Sequence, residues 1–138
     1  ENGADAVFDH TDEDHLGEIR EFTGGKGVNV IVEMLANVNL ERDFEAIAMF
    51  GRIVIVGNRG SLNFTPRLAM TSETTIYGMS LFNSSQASRD EIHAAIFDGL
   101  SNGSLSPVVS RTFSLAESPA AHRAVIENHT LGKIILVP

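Results

Sequence analysis

The sequence contains no cysteine. Disulfides, thiolate metal sites and cysteine nucleophiles are excluded together, so any redox chemistry has to be carried by a borrowed group. The lack suits a reducing compartment, and a cytoplasmic location is the expectation. Long apolar runs are missing as well: the longest, 28–32 and 53–56, are strand-sized and far short of the roughly 20 residues a membrane helix requires. Basic residues are few, 10 against 18 acidic ones, for a formal charge of −8. Such a chain repels a polyphosphate backbone unless its cations cluster, and they do not, which makes nucleic acid an unfavoured partner. No repeat, charge block or low-complexity stretch marks a linker or a second domain. The five histidines, His10, His15, His93, His122 and His129, do not combine with carboxylates at metal-ligand spacing, so no metal is expected. No serine stands in a GxSxG elbow. Position 1 is glutamate, and no charged-then-apolar leader follows, so the expectation is a fragment or a processed chain.

What remains is a 138-residue chain, 43% hydrophobic, enough to bury the core of about one domain. Short β-branched runs alternate with longer stretches of helical spacing, the signature of strands and helices around a parallel sheet. Residues 6–8 read as a short strand. Leu16, Ile19 and Phe22 recur along 12–22, behind an acidic first turn, and predict a helix that Thr23, Gly24 and Gly25 end. The run 28–32 reads as a strand covered on both faces. Leu40, Phe44, Ile47 and Ala48 give helical spacing over 40–50, stopped by Gly51. A buried strand at 53–56 leads into a turn at 57–60, and 74–81 reads as another strong strand. Helices are predicted over 88–100, with Asn102 and Gly103 as the stop, and over 115–127, with Pro119 tolerated in the first turn. Residues 133–137 form the last strand.

Four segments in order then carry a resemblance: Gly3-Ala4-Asp5; Glu33-Met34-Leu35-Ala36-Asn37-Val38-Asn39-Leu40; Gly51-Arg52-Ile53-Val54-Ile55-Val56-Gly57-Asn58-Arg59-Gly60; and Gly132-Lys133-Ile134-Ile135-Leu136. Together they resemble the zeta-crystallin and quinone oxidoreductase branch of the medium-chain dehydrogenase/reductase superfamily, over the whole chain. The resemblance implies an α/β fold of Rossmann type, a doubly wound parallel sheet in the order 3-2-1-4-5-6, of which this chain supplies strands 3 to 6 and the C-terminal segment. The GxGxxG strand-helix unit that holds the pyrophosphate does not occur in the sequence. Nor does anything similar to the family's catalytic, GroES-like domain. Residues 1–138 thus read as the C-terminal portion of an NAD(P)-binding domain, inactive alone, from an NADPH-dependent quinone reductase.

Open parallel sheets bind ligands beyond the carboxyl ends of their strands, which selects four loops. By the resemblance, His10 lies near the adenosine side of the cofactor; the alternative is a surface histidine capping the next turn. Asn39 corresponds to a family asparagine suited to adenine or ribose; the alternative is an N-cap just before Leu40. Val56, Gly57, Asn58 and Arg59 match the turn along the nicotinamide side, where glycine lets backbone approach a flat ring. Arg59 reads equally as a solvated turn charge. Met79, Ser80 and Leu81 match a strand end whose backbone meets the nicotinamide carboxamide in relatives; alternatively Met79 and Leu81 are core or interface residues with Ser80 on the opposite pleat. Asn128 and Lys133 are weaker candidates. Glu33, at a strand end, is either a poised acid or a satisfied structural carboxylate. No catalytic side chain is assigned.

The strand at 28–32, deprived of its inner neighbour, presents an apolar edge that invites another chain. A homo-oligomer is expected, and the resemblance implies the strand from Thr74 to Leu81 as the first candidate for its contact, since related enzymes often join two sheets there. Two other functions stay open: a structural or RNA-binding role of the crystallin kind, and a zinc-independent enone or alcohol reductase of the same superfamily.

Overall fold

The structure is a computed structural model, and it describes residues 3–127 and 131–138. These form two compact units, Gly3–Ser84 and Ser85–Pro138. Both are α/β, with every strand pairing parallel.

In the first unit, helix α1 (His15–Phe22) is followed by strand β1 (Val28–Glu33), the short helix α2 (Ala36–Asn39), a 3-10 turn (Arg42–Glu45), strand β2 (Ile47–Ile55), helix α3 (Arg67–Ser72) and strand β3 (Thr75–Gly78). The sheet order β1-β2-β3 is the adjacency expected of strands 4, 5 and 6. Ala36, Leu40, Ile47 and Ile53 form the core, with Val28, Ile31, Phe44, Ile55 and Leu62 packed against it. Ile53, in the central strand, is 0% exposed, and burying a side chain of that size stabilises by about 1.5–3 kcal/mol. Glycines in the left-handed region end α1 as expected: Gly24 (φ 64°) and Gly25 (φ 77°), whose N–H closes on the Arg20 carbonyl at 2.8 Å.

Three sequence expectations are corrected in this unit. Residues 6–8 form no strand. Among the described residues no neighbour offers them a ladder, and Phe8 instead meets the Phe22 ring edge-on at 5.9 Å. The helix expected over 40–50 is replaced by the 3-10 turn and the start of β2. Leu40, Phe44 and Ile47 do reach one core, so their spacing marks burial correctly. Parallel pairing of Ile47 with Val28 nevertheless wins the backbone of Ile47 for the sheet. The register then jumps to Val30↔Arg52, with Phe50 at φ 62° in the resulting bulge. Finally, β1 is covered on one face, not two: Ile31 and Glu33 turn inward, while Val30 and Val32 are exposed. It is an edge strand, as expected of one without its inner neighbour.

Helix α3 was not foreseen, although Pro66, at its N-cap, is a start signal. The strand expected over 74–81 is shorter, because a 3-10 turn, Leu81–Asn83, takes over its end.

In the second unit, helix α4 (Gln86–Asn102) is capped by Ser85, whose Oγ accepts the Ser88 N–H at 3.1 Å, and stopped by Gly103 at φ 79°. Strand β4 (Val109–Ser114), also unforeseen, leads through a capping box between Ser114 and Glu117 into helix α5 (Ser118–Glu127). Pro119 occupies its first turn, where a missing N–H is harmless. Strand β5 (Lys133–Val137) pairs with β4 and packs under α5, which buries Ala121 and Ala124.

Candidate cofactor site

The loops after β1, β2 and β3 leave the same end of a parallel sheet, where main-chain N–H and C=O groups run out of ladder partners. Two of these loops are tied together. The Glu33 carbonyl, at the end of β1, accepts both the Val56 N–H (2.9 Å) and the Gly57 N–H (3.2 Å) that follow β2, and the Ala36 N–H returns to the Gly57 carbonyl at 3.0 Å. Beyond them, Asn37 Oδ1 accepts the Arg59 N–H at 2.9 Å. Asn58 folds its amide back onto the Gly60 carbonyl at 2.6 Å. Val56 and Gly57 are half-buried, whereas Asn58 and Arg59 stand exposed.

Glycine at 57 is required for a reason internal to the protein: a Cβ there would collide with the Met34 carbonyl group. The turn is therefore shaped by its packing on the loop after β1, whatever it does for a flat ring.

After β3, the Met79 N–H is already spent on the Ile55 carbonyl at 3.0 Å. The Ser80 and Leu81 carbonyls are spent as well, on the Asn83 and Ser84 N–H at 3.1 Å each, so the Met79 carbonyl and the Ser80 and Leu81 N–H groups are what this strand end offers a ligand. Met79 and Leu81 are exposed, not core residues of this chain.

His10 and Asn39 come together in a cleft of about 290 Å3 whose other walls are His15, Leu16, Ile19, Arg42 and Asp43. His10 is exposed and makes no cap; Asp9 does the local turn-making, accepting the Thr11 N–H (2.9 Å) and hydroxyl (2.7 Å). Those same bonds hold the exposed Asp9 carboxyl below the usual carboxylate range. Asn39 is no N-cap either: it is the last residue of α2, and its Nδ2 donates to Glu33 Oε1 at 3.2 Å. Glu33 Oε1 also accepts the Leu35 N–H.

Sequence reasoning missed three residues: Asn37, which makes the tie between the loops; Arg42, on the cleft wall; and Asp43, which is 7% exposed. Arg42 and Asp43 stood only as polar side chains inside the 40–50 stretch read as helix, and Asn37 only as one residue of the 33–40 segment that carries the resemblance. Asp43 Oδ2 is enclosed without a hydrogen-bond partner among the described residues. Of the weaker candidates, Asn128 lies outside the described residues, and Lys133 opens β5 in the second unit. The hollows of that unit are apolar in the main, such as one of about 120 Å3 between Ala121, His122, Val125, Ile134 and Leu136.

A family profile described as zinc-binding dehydrogenase matches residues 2–136. The human quinone oxidoreductase is 36% identical over 138 residues, covering 99% of this chain and 42% of that protein. The rat quinone oxidoreductase is 37% identical with the same coverage. Among solved structures, an NAD-dependent alcohol dehydrogenase superposes with a TM-score of 0.82 at 27% identity, over 99% of this chain and 39% of that one. The chain thus spans about two fifths of the length of these relatives. Despite the family's description, the residues described here do not fit a zinc ion: the chain has no cysteine, and among the described residues no three His, Asp or Glu side chains converge. No described helix is long and apolar enough to cross a membrane. On the profile match and on these relatives, the chain belongs to the zinc-binding dehydrogenase family, in the quinone oxidoreductase branch of the medium-chain dehydrogenase/reductase superfamily.

Proposed function

We propose that this chain contributes the adenosine-side and nicotinamide-side loops of the cofactor site in an NADPH-dependent quinone reductase. The observation that carries this reading is the Asn37 to Arg59 hydrogen bond, which makes one continuous rim of the loops after β1 and β2. A rim of main-chain groups beyond parallel strands is what a dinucleotide needs, because it is shaped before the ligand arrives. Val56, Gly57, Asn58 and Arg59 would line the nicotinamide half, joined by the Met79 carbonyl and the Ser80 and Leu81 N–H groups. His10 and Asn39 would meet the adenosine half from their shared cleft. The bound cofactor supplies the reducing equivalents, and these residues orient it. The likeness to an NAD-dependent enzyme and to quinone oxidoreductases supports a nicotinamide nucleotide and a quinone-type substrate.

The test is calorimetry on the intact protein with NADPH and with NADH, followed by quinone reduction with whichever binds. Saturable heat with NADPH and turnover of a small quinone are expected; no heat with either nucleotide overturns the reading.

The same proposal includes self-association through the strand from Thr74 to Leu81. β3 is an edge of its sheet, and Tyr77, Met79, Leu81 and Phe82 are all exposed along or just beyond it. Sedimentation of the intact protein across a concentration series should show a dimer or larger species, and a monomer throughout would exclude it.

A further inference from the structure

Two buried carboxyls belong to this corner of the fold: Asp43 is part of the cleft wall, and Glu33 holds Asn39, another wall residue. Glu33, ending β1, is 4% exposed, and Asp43, in the 3-10 turn, 7%. Glu33 Oε1 is well supplied, receiving both the Leu35 N–H and Asn39 Nδ2. Asp43 is not: its Oδ2 meets no donor among the described residues. Two ionised carboxylates in so dry a place repel one another, and an orphan carboxylate oxygen forfeits its hydration without return. One arrangement relieves both penalties, a proton held between the two groups, so that Asp43 donates and Glu33 accepts.

Among the described residues no basic side chain donates to Asp43 Oδ2. Glu33 from β1 is its charged neighbour, His10, His15 and Arg42 share the cleft with it, and Glu45 ends its own turn. From α1, Arg20 is engaged with the Glu45 carbonyl at 3.2 Å. α3, also packed on the turn, carries Arg67 and ends at Glu73. Burial first, and then the charge and hydrogen bond of Glu33, push the Asp43 carboxyl up to about 7.

We propose that Asp43 is a positioning residue for Asn39: the proton it shares with Glu33 holds the Glu33 carboxyl where Oε1 captures Asn39 Nδ2, leaving the Asn39 oxygen as the acceptor for a ligand. The ligand group is then a hydrogen-bond donor, a hydroxyl or exocyclic amine of a nucleoside. This rests on the cofactor reading above. Loss of the proton sets two carboxylates against each other, frees Glu33 to turn, and releases Asn39.

The experiment is an NADPH titration of the intact protein at pH 6 and pH 8, wild type beside Asp43→Asn, with the fold of each checked by circular dichroism. An amide at 43 donates to Glu33 at every pH. The variant should therefore match wild type at pH 6 and bind more tightly at pH 8 by about fivefold, the value of one hydrogen bond. Comparison within each pH cancels every ionisation that the two proteins and the nucleotide have in common. Equal or weaker binding by the folded variant at pH 8 overturns the proposal. Carboxyl 13C NMR of wild type reads the proton on Asp43 without any ligand: the Asp43 carbon should titrate near neutrality, and an ordinary titration of that carbon below pH 5 overturns the proposal even if the variant fails to fold. Absence of NADPH binding by wild type at both pH values instead overturns the cofactor reading, and the NMR titration tells the two failures apart.

Discussion

Asn37, in the loop after β1, and Arg59, in the loop after β2, are 22 residues apart in sequence and joined by one hydrogen bond of 2.9 Å from the Arg59 N–H to Asn37 Oδ1. The bond is made by side chain on one side and backbone on the other, so Arg59 can be exchanged without losing it, whereas Asn37 cannot. Asn37→Ala should weaken NADPH binding by the intact protein about fivefold, while Arg59→Ala preserves the tie. Titration of nucleotide fluorescence measures both, and unchanged affinity in Asn37→Ala would remove the tie from the site.

Gly57→Ala should lower stability by roughly 1–3 kcal/mol, since the new methyl meets the Met34 carbonyl group and one loop has to move. Because that movement distorts the rim, thermal midpoint and NADPH affinity should fall together. A variant with an unshifted midpoint would show that the two loops yield freely.

Stability should depend on pH through Asp43. Its carboxyl is raised from 3.8 in the unfolded chain to about 7 in the folded one, so between those values the native state holds a proton that the unfolded state has released. Unfolding free energy therefore falls as pH rises: the contribution is fully present below 3.8 and is lost as pH passes about 7. Asp9 and Glu117, both lowered, act in the opposite sense, but they lie at the surface where solvent screens them. Urea midpoints at pH 5 and pH 8 should differ for wild type and converge in Asp43→Asn; an equal drop in both proteins would place the titration elsewhere.

Ile53→Ala should be among the most damaging single changes, destabilising by about 2–5 kcal/mol, because this side chain is 0% exposed in the central strand of its sheet. Chemical denaturation is the measure. Val32→Ala, on the open face of β1, should cost far less under the same assay.

How much of this was legible beforehand differs by element. Where a periodic apolar pattern was bounded by its own stop signal, as in α1 with Gly24 and Gly25 or α4 with Gly103, local chemistry was sufficient. The stretch 40–50 was misread because Leu40, Phe44 and Ile47 are spaced for one helix face, yet Ile47 pairs with Val28, a partner no local window contains. The site followed the same division. Asn39 and the 56–59 turn follow strands that do form, whereas the strand expected before His10 does not, and Asn37, Arg42 and Asp43 had no pattern of their own.

The amino-acid sequence by itself determined the alternation of strands and helices, the parallel sheet and the family, because apolar spacing, glycine stops and contiguous motifs are local properties that survive without a partner. Only the tertiary structure decided that Asn37 reaches Arg59, that Gly57 is needed by Met34, and that Asp43 lies buried beside Glu33. Those are relations between segments, and their energies come from desolvation and close contact, which exist only once the chain has brought the segments together.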